Sequence, residues 1–349
     1  MGFKIDSINI GIKYSPYIIA EMSGNHNNSL DKALEIVEEA ASSKVNAIKL
    51  QTYTADTMTL DIHEGDFLIQ NKSSPWYNNS LYNLYKKAST PWEWHKPIME
   101  KAKGLGLSCF SSPFDESAVD FLESLNVPAY KISSFECIDI PLIKKVASTG
   151  KPMIISTGMA NIAEIFEAIE TARNYGCKDL AILKCTSTYP SSPKDSNLKT
   201  ISHLRDLFQC EVGLSDHTIG IGAAIASVAF GSTIIEKHLT LSRAEGGVDS
   251  LFSLEPKEIA ALVRESSIAQ EAIGKIHYGP TSKEENSSKR RRSLYFAKDL
   301  SPGETVEKNN LRSIRPGKGL EPKFYDLLIG KKVKKSIKKG TPASWEHFI

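Results

Sequence analysis

The stretch EVGLSDHTIGIGAAIASVAFGSTIIEKHL (211–239) contains two short apolar runs separated by a helical pattern. This arrangement is typical of parallel strands joined by a crossover helix. A histidine ends or follows each run, His217 in GLSDHTIG and His238 in IIEKHLT. Because parallel barrel strands end at the same face, both imidazoles should lie at one mouth of a barrel.

The two histidines together indicate a metal site. Imidazole is the commonest ligand for borderline transition metals, and two neutral rings leave open positions for water and a substrate oxygen. A single buried histidine is more often a core residue with satisfied hydrogen bonds. Here two occur together beside the charged residues Asp216, Glu236 and Lys237, which favours the metal interpretation.

Eight apolar runs alternate with helical patterns from Tyr17 onward, which predicts an α/β fold of parallel strands and crossover helices. Eight such units in about 260 residues fit a (β/α)₈ TIM barrel. A doubly wound open sheet is the alternative, but no GxGxxG motif follows the first run. Thr90 is the predicted N-cap of the helix that begins with Pro91. The predicted strands are 17–21, 47–51, 107–111, 129–132, 152–156, 180–184, 211–214 and 233–239, and the predicted helices include 30–43, 91–105, 140–148, 163–175, 198–207 and 256–273.

Polar residues collect where the predicted strands end, the face at which a barrel carries its active site. A lone lysine there is usually solvated or ion-paired. Three lysines with several serines instead predict a cradle for a phosphate or carboxylate, because lysine supplies a point charge and serine a neutral donor. The strand-end residues are Glu21, Lys49, Ser111, Lys131, Ser134, Ser156, Lys184, Ser215, His217 and His238.

A long segment, 61–89, separates the second predicted strand from its helix and carries Trp76, Tyr77, Tyr82 and Tyr85. Loops of this length inside a compact domain are usually lids or binding loops. The alternative is a surface excursion with a local aromatic cluster.

A second domain is predicted after Gly279-Pro280-Thr281, so the predicted domains are 1–280 and 281–349. Within it, AKDLSPGETVEKNNL (297–311) and KKSIKKGTPASWEHF (334–348) align as an internal repeat, with Leu300 over Ile337 and Gly303 over Gly340. Two copies of one turn-and-strand unit predict a compact β-rich module. A core of about 60 residues is marginal, so we expect the module to rest on the barrel or on another subunit.

The composition indicates a globular protein of 349 residues, with 41% hydrophobic residues. No run approaches 18 apolar residues and the N-terminus lacks a signal-type apolar region, so we expect a cytoplasmic protein without membrane contact. Its five cysteines form no CxxC pair, which predicts free thiols. Residues 281–349 carry a net charge of +9 against −7 for residues 1–280, but no aromatic-basic motif accompanies the basic run at 289–292, which argues against nucleic-acid binding.

Taken in order, these motifs resemble the sialic acid synthases, and most closely their pseudaminic acid branch. The resemblance covers essentially the full chain. The matching segments are IIAEMSGNHNNSLDKA (18–33), AIKLQTYTADTMTL (47–60), TPWEWH (90–95), CFSSPFDESAVDFLESLNVPAYKISSFE (109–136), STGM (156–159), KCTSTYP (184–190), GLSDHTIG (213–220), EKHLTL (236–241) and RPGKG (315–319).

The resemblance implies a TIM barrel fused to a C-terminal antifreeze-like (SAF) domain, in a homodimer whose SAF domain closes the partner's barrel. It implies condensation of phosphoenolpyruvate with an N-acylated amino sugar and release of phosphate. The reaction would depend on a divalent metal, Mn²⁺ or a similar ion such as Mg²⁺ or Co²⁺.

The resemblance also assigns roles by motif. His217 and His238 would bind the metal, and Glu136 matches a family glutamate near the reacting water, which makes it an acid/base candidate. With Glu21, these three residues are the catalytic candidates. Phosphoenolpyruvate would be bound by Lys49, Ser111, Lys131, Ser134, Ser156 and Ser215, and the sugar by Glu21, Ser187, Tyr189, Asp249 and, reaching from the partner, Arg315.

Two departures bear on the sugar. Ser187 stands where relatives that form N-acetylneuraminate commonly carry asparagine, and Asn28 stands where many carry glycine. These departures favour 2,4-diacetamido-2,4,6-trideoxy-altrose over N-acetylmannosamine, and hence pseudaminic acid for surface or flagellin glycosylation. Synthesis of legionaminic or N-acetylneuraminic acid is the alternative within the family. A Schiff-base aldolase using Lys131 or Lys184 is an alternative from another class, and a carbohydrate- or ice-binding C-terminal module is a non-enzymatic one.

Overall fold

The structure is a computed structural model that describes residues 2–72, 74 and 76–349. The chain divides into two compact units, Met1–Gly274 and Lys275–Ile349. The predicted boundary at 280/281 lies a few residues after this division. None of the helices in the described residues is both long and apolar enough to span a membrane.

Eight parallel strands of the first unit close into a barrel, because the last strand pairs with the first. Their residues are buried almost throughout, as expected for parallel strands covered on both faces. The predicted α/β barrel is therefore confirmed, and the open sheet is excluded. An unpredicted hairpin, β1 (Phe3–Ile5) and β2 (Ile8–Ile10), precedes the barrel strands β3 (Tyr17–Glu21), β4 (Ala47–Thr52), β5 (Ser108–Pro113), β6 (Tyr130–Ile132), β7 (Met153–Ser156), β8 (Leu180–Cys185), β9 (Glu211–Ser215) and β10 (Ile234–His238).

The helices of this unit begin at side-chain caps that the sequence supplies. Ser29 accepts a hydrogen bond from the Lys32 backbone, and Asn161 and Glu164 form a capping box. The bounds are α1 (Leu30–Ser42), α2 (Ala55–Met58), α3 (Leu81–Ala88), α4 (Trp92–Gly104), α5 (Glu116–Ser124), α6 (Ile140–Ala147), α7 (Ile162–Asn174), α8 (Lys199–Phe208), α9 (Gly222–Val228) and α10 (Pro256–Ile273).

Two sequence predictions about helices were wrong. Thr90 does not cap α4: Pro91 is the cap residue, and the Thr90 hydroxyl lies 3.1 Å from Nε2 of buried His26 instead. The segment 61–89 is not all loop, because α3 occupies its end, starting at Ser80, whose side chain accepts from the Asn83 backbone. Ser73 and Pro75 of this segment lie outside the described residues.

The hydrogen bonds of the second unit follow the predicted repeat. Leu300 and Ile337, one aligned pair, exchange two backbone hydrogen bonds of 2.9 Å. The aligned Gly303 and Gly340 both have positive φ, and each donates its backbone N–H across the unit, to the carbonyls of Val333 and Phe296 respectively. The regular elements are α11 (Glu285–Ser288), β11 (Ser293–Phe296), β12 (Leu311–Ile314) and α12 (Tyr325–Leu328).

Candidate active site

A cavity of ≈ 630 Å³ opens at the carboxyl ends of the barrel strands. The strand register brings neighbouring polar residues together there, since Glu21 on β3 is level with Lys49 on β4 and with His238 on β10. Of the predicted site residues, the cavity is lined by Glu21, Lys49, Lys131, Ser134, Glu136, Ser156, Tyr189, Ser215, His217, His238 and Asp249.

Two buried lysines form the charged floor of the cavity. Lys131 Nζ donates to the Ser156 hydroxyl at 2.7 Å, and Lys49 Nζ contacts the Glu21 carboxylate and lies 3.7 Å from Glu236 Oε1. Burial alone would raise the pKa of Glu236, but Lys131 and Lys49 hold it below its usual range. Glu236 is therefore ionised and stabilised by both ammonium groups, a role that we did not assign to it from the sequence.

The two histidines lie side by side above this floor, with ring centroids 5.3 Å apart. The Thr186 carbonyl, 3.0 Å from His217 Nδ1, can only accept, so this nitrogen carries a proton and Nε2 stays free for another partner. His238 Nδ1 is buried without a hydrogen bond, 3.5 Å from Asp249 Oδ2.

This donor set fits a divalent metal ion. A backbone carbonyl that holds one ring nitrogen of a histidine orients the other toward a metal, as His217 is held here. In the described part of the chain, no group of three or more histidine, cysteine, aspartate or glutamate side chains has metal-site spacing. The two imidazoles would therefore be the main protein contribution, and other ligands would be water or substrate oxygens.

Glu136 has the properties of a general acid or base. It lies on a short helical turn after β6 and lines the cavity, and its Oε2 is buried without a hydrogen bond. Burial raises the pKa of this carboxyl to about 7. A group with such a pKa can both release and accept a proton near neutral pH.

A network of hydrogen bonds orients two carboxylates that line the cavity, those of Glu21 and Asp249. Glu21 Oε1 accepts from the Ser23 backbone at 3.0 Å and from Gln51 Nε2 at 3.1 Å. The Ser23 hydroxyl donates to Asp249, so one residue connects both carboxylates. Tyr189 packs its ring 4.5 Å from that of His217. Ser23 and Gln51 line the cavity but were missed from the sequence, although both lie within the motifs that carry the resemblance.

The structure does not bring two of the strand-end residues to the cavity. The Ser111 hydroxyl lies 2.6 Å from the Thr52 hydroxyl on the helix side of the barrel, whereas Ser112 accepts a hydrogen bond from Lys49 at 3.2 Å. Lys184 donates to Thr186 at 2.6 Å and does not line the cavity. The reason is the two-residue period of a strand: one step in sequence moves a side chain to the other face.

Two predicted sugar contacts also lie outside the cavity lining. The Ser187 hydroxyl is 3.7 Å from the sulfur of Cys185, which does line the cavity. Arg315 is exposed on the segment that follows β12 in the second unit. Their roles stay predictions.

Because Ser111 and Ser112 lie on opposite faces of β5, their replacement should have different effects. Ser112→Ala should raise the KM for an anionic substrate several-fold, because Lys49 loses a partner that positions it. Ser111→Ala should leave that KM unchanged and cost about 1 kcal/mol of unfolding free energy through its lost hydrogen bond. Steady-state kinetics and thermal unfolding of both variants test this, and an equal effect on KM would contradict the assignment of faces.

Comparison with known proteins covers both units. The NeuB family model matches residues 36–278, and the SAF domain model matches residues 291–349. The chain is 44% identical over 327 residues to the pseudaminic acid synthase of Campylobacter jejuni, covering 93% of this chain and 94% of that one. It is 42% identical over 332 residues to the pseudaminic acid synthase of Helicobacter pylori, with 94% and 96% covered. The solved structure of N-acetylneuraminic acid synthetase from Leptospira borgpetersenii, in complex with citrate, is 31% identical with a TM-score of 0.73, covering 82% of this chain and 95% of that one.

Proposed function

Because the chain belongs to the NeuB family and carries an SAF domain, we propose that it condenses phosphoenolpyruvate with 2,4-diacetamido-2,4,6-trideoxy-altrose and water. The products are pseudaminic acid and phosphate. The observation that carries the proposal is the pair of buried lysines beneath two adjacent imidazoles. The identity to pseudaminic acid synthases supports this sugar over the N-acetylneuraminate and legionaminate precursors.

The floor of the cavity suits phosphoenolpyruvate. Lys49 and Lys131 supply cations for its phosphate and carboxylate, and the ionised Glu236 offsets part of this positive charge while the site is empty. Ser156 and Ser134 add hydroxyl groups at the same depth. Preorganised donors of this kind stabilise an anion throughout a reaction and stabilise the departing phosphate at its end.

We propose that His217 and His238 hold a divalent ion, Mn²⁺ or a similar metal such as Mg²⁺ or Co²⁺. When bound, such an ion acts as a Lewis acid toward a carbonyl oxygen, here that of the open-chain sugar. The carboxylates of Glu21 and Asp249 and the ring of Tyr189 orient the sugar, whose aldehyde carbon then receives C3 of phosphoenolpyruvate.

Glu136 is the proposed base that takes a proton from the water that attacks C2. Since the ionised form is the active one, kcat/KM should fall as pH drops through about 7, following the raised pKa of this carboxyl. Glu136→Gln should lower kcat by about 10²- to 10³-fold and remove that acidic limb. A pH–rate profile of both proteins tests this, and an unchanged acidic limb in the variant would exclude Glu136 as its origin.

The test of the function is phosphate release from phosphoenolpyruvate with Mn²⁺, with the diacetamido-trideoxy-altrose and N-acetylmannosamine offered separately, each with and without EDTA. Chelator-sensitive release with the altrose derivative supports the proposal. Release with N-acetylmannosamine alone would keep the chemistry and overturn the sugar.

The aldolase alternative has a separate test. Lys184 lies outside the cavity lining, so Lys131 is the remaining candidate amine of the two. If the protein were an aldolase, borohydride in the presence of substrate would trap a Schiff base on Lys131. A synthase forms no Schiff base, so no trapping would occur.

Three further parts of the proposal concern the assembly and its use. We propose a homodimer in which the SAF domain of one subunit closes the partner's barrel, with Arg315 contacting the sugar. We also propose a cytoplasmic enzyme whose product serves surface or flagellin glycosylation. The charge difference between the residues before and after 280 supports the dimer, and solution scattering of the full chain tests it.

A further inference from the structure

One wall of the cavity is apolar and belongs to the chain between β4 and α4. Four of its residues lie on α3, at positions 81, 84, 85 and 88, so that the helix turns one stripe toward the cavity. We call this surface the apolar wall, and it consists of Met58, Ile69, Leu81, Leu84, Tyr85 and Ala88.

The apolar wall is not explained by core packing. Among the described residues, neither hydrophobic core of the first unit includes Leu81 or Leu84, and α3 has no buried residue. A surface helix normally turns its apolar stripe to a core. The stripe of α3 turns to the cavity instead, so its side chains remain available to a ligand.

A contact across the cavity mouth holds this wall in place. Trp76, from the same segment, donates its indole N–H to the Val248 carbonyl at 3.0 Å. Its ring lies 5.9 Å from that of Tyr189. The segment is thereby joined to the loop after β10, which carries Asp249, and the wall faces the same space as the residues proposed to bind the sugar.

The position of the wall determines which part of the sugar meets it. The aldehyde carbon must lie over the floor, near His217 and His238, to receive C3 of phosphoenolpyruvate. The opposite end of the open-chain sugar, from C4 to C6, then points to the mouth. In the proposed substrate this end carries two methyl groups, one at C6 and one in the 4-acetamido group.

We propose that the apolar wall, and Leu84 and Leu81 in particular, selects a 6-deoxy sugar by packing against these methyl groups. The inference rests on the proposed function. A hydroxyl at C6 would lose hydrogen bonds to water against this wall without gaining a partner. Selection of this kind is moderate, about 10- to 200-fold for one apolar group and about 10²-fold against an added hydroxyl.

The experiment compares two sugars that differ only at C6, namely the diacetamido-trideoxy-altrose and its counterpart with a 6-hydroxyl. Phosphate release gives kcat/KM for each sugar, with wild type, Leu84→Gln and Leu81→Gln. We expect wild type to prefer the 6-deoxy sugar by at least about tenfold. Each variant should lose most of that preference through a lower kcat/KM for the 6-deoxy sugar, with an unchanged KM for phosphoenolpyruvate.

Leu207→Gln is the matched control, because Leu207 is a helical leucine, 49% exposed, that does not line the cavity. It should keep the wild-type preference. An equal loss with both sugars in the wall variants, or an unchanged preference, would overturn the inference while leaving the function intact. Absence of release by wild type with either sugar would overturn the proposed function itself, and this inference with it.

Discussion

Replacing His217 with alanine should lower kcat by about 10³-fold or more, because loss of a Lewis acid removes several kcal/mol of transition-state stabilisation. Phosphoenolpyruvate should still bind, since Lys49 and Lys131 on the floor do not contact the imidazole directly. Calorimetric titrations with phosphoenolpyruvate and with Mn²⁺ separate the two effects: the first should be retained, and the second should be weakened at least about tenfold.

The matched control is His203→Ala, because His203 is exposed on α8 and does not line the cavity. It should bind Mn²⁺ and turn over like wild type. Loss of phosphoenolpyruvate binding by His217→Ala, with Mn²⁺ binding unchanged, would show that this histidine belongs to the anion site and not to a metal site.

Replacing Lys131 with methionine should lower kcat/KM for phosphoenolpyruvate by at least about 30-fold. Loss of a charge-assisted partner of a buried anion costs about 2 kcal/mol or more, and the effect should appear chiefly in KM. The variant should also unfold at a lower temperature, because the ionised Glu236 then loses one of the two buried lysines that stabilise its charge. Kinetics must therefore be measured well below the unfolding transition.

Lys237→Met distinguishes loss of the anion site from loss of stability. Lys237 is as buried as Lys131, but it donates to Asp216 at 3.1 Å on the helix side of the strand. Its replacement also leaves the buried Asp216 carboxylate without its lysine cation, so the unfolding temperature should fall. The KM for phosphoenolpyruvate should change only in Lys131→Met, and an equal change in both variants would attribute the effect to general destabilisation.

The barrel was predictable because each strand is a short apolar run buried on both faces. All eight strands occur within two residues of the predicted bounds, and α10 matches the predicted range 256–273. The helix α3 was missed although Leu81, Leu84, Tyr85 and Ala88 have helical spacing, because the helix is only eight residues long and lies in a polar and aromatic segment. Its apolar residues face a cavity, and a cavity leaves no separate signal in sequence.

The sequence predicted which strand ends carry the candidate site, but it did not predict which way each side chain points. His217 follows β9 and His238 ends β10, each two residues after Ser215 and Glu236 respectively, and all four side chains line the cavity. Ser111 and Ser112 are adjacent serines, and the sequence offers no reason to choose the second. Only the pleat of β5 in the closed barrel decides that Ser112 contacts Lys49.

The sequence alone determined the barrel, the internal repeat of the second unit and the strand ends that carry polar residues, because these depend on local apolar periodicity and turn residues. The tertiary structure decided which of those residues share one cavity, that two buried lysines keep Glu236 ionised, and that burial raises the pKa of Glu136 to about 7. Those properties depend on distances between segments far apart in the chain and on the exclusion of water around them. Both arise only when the eight strands close.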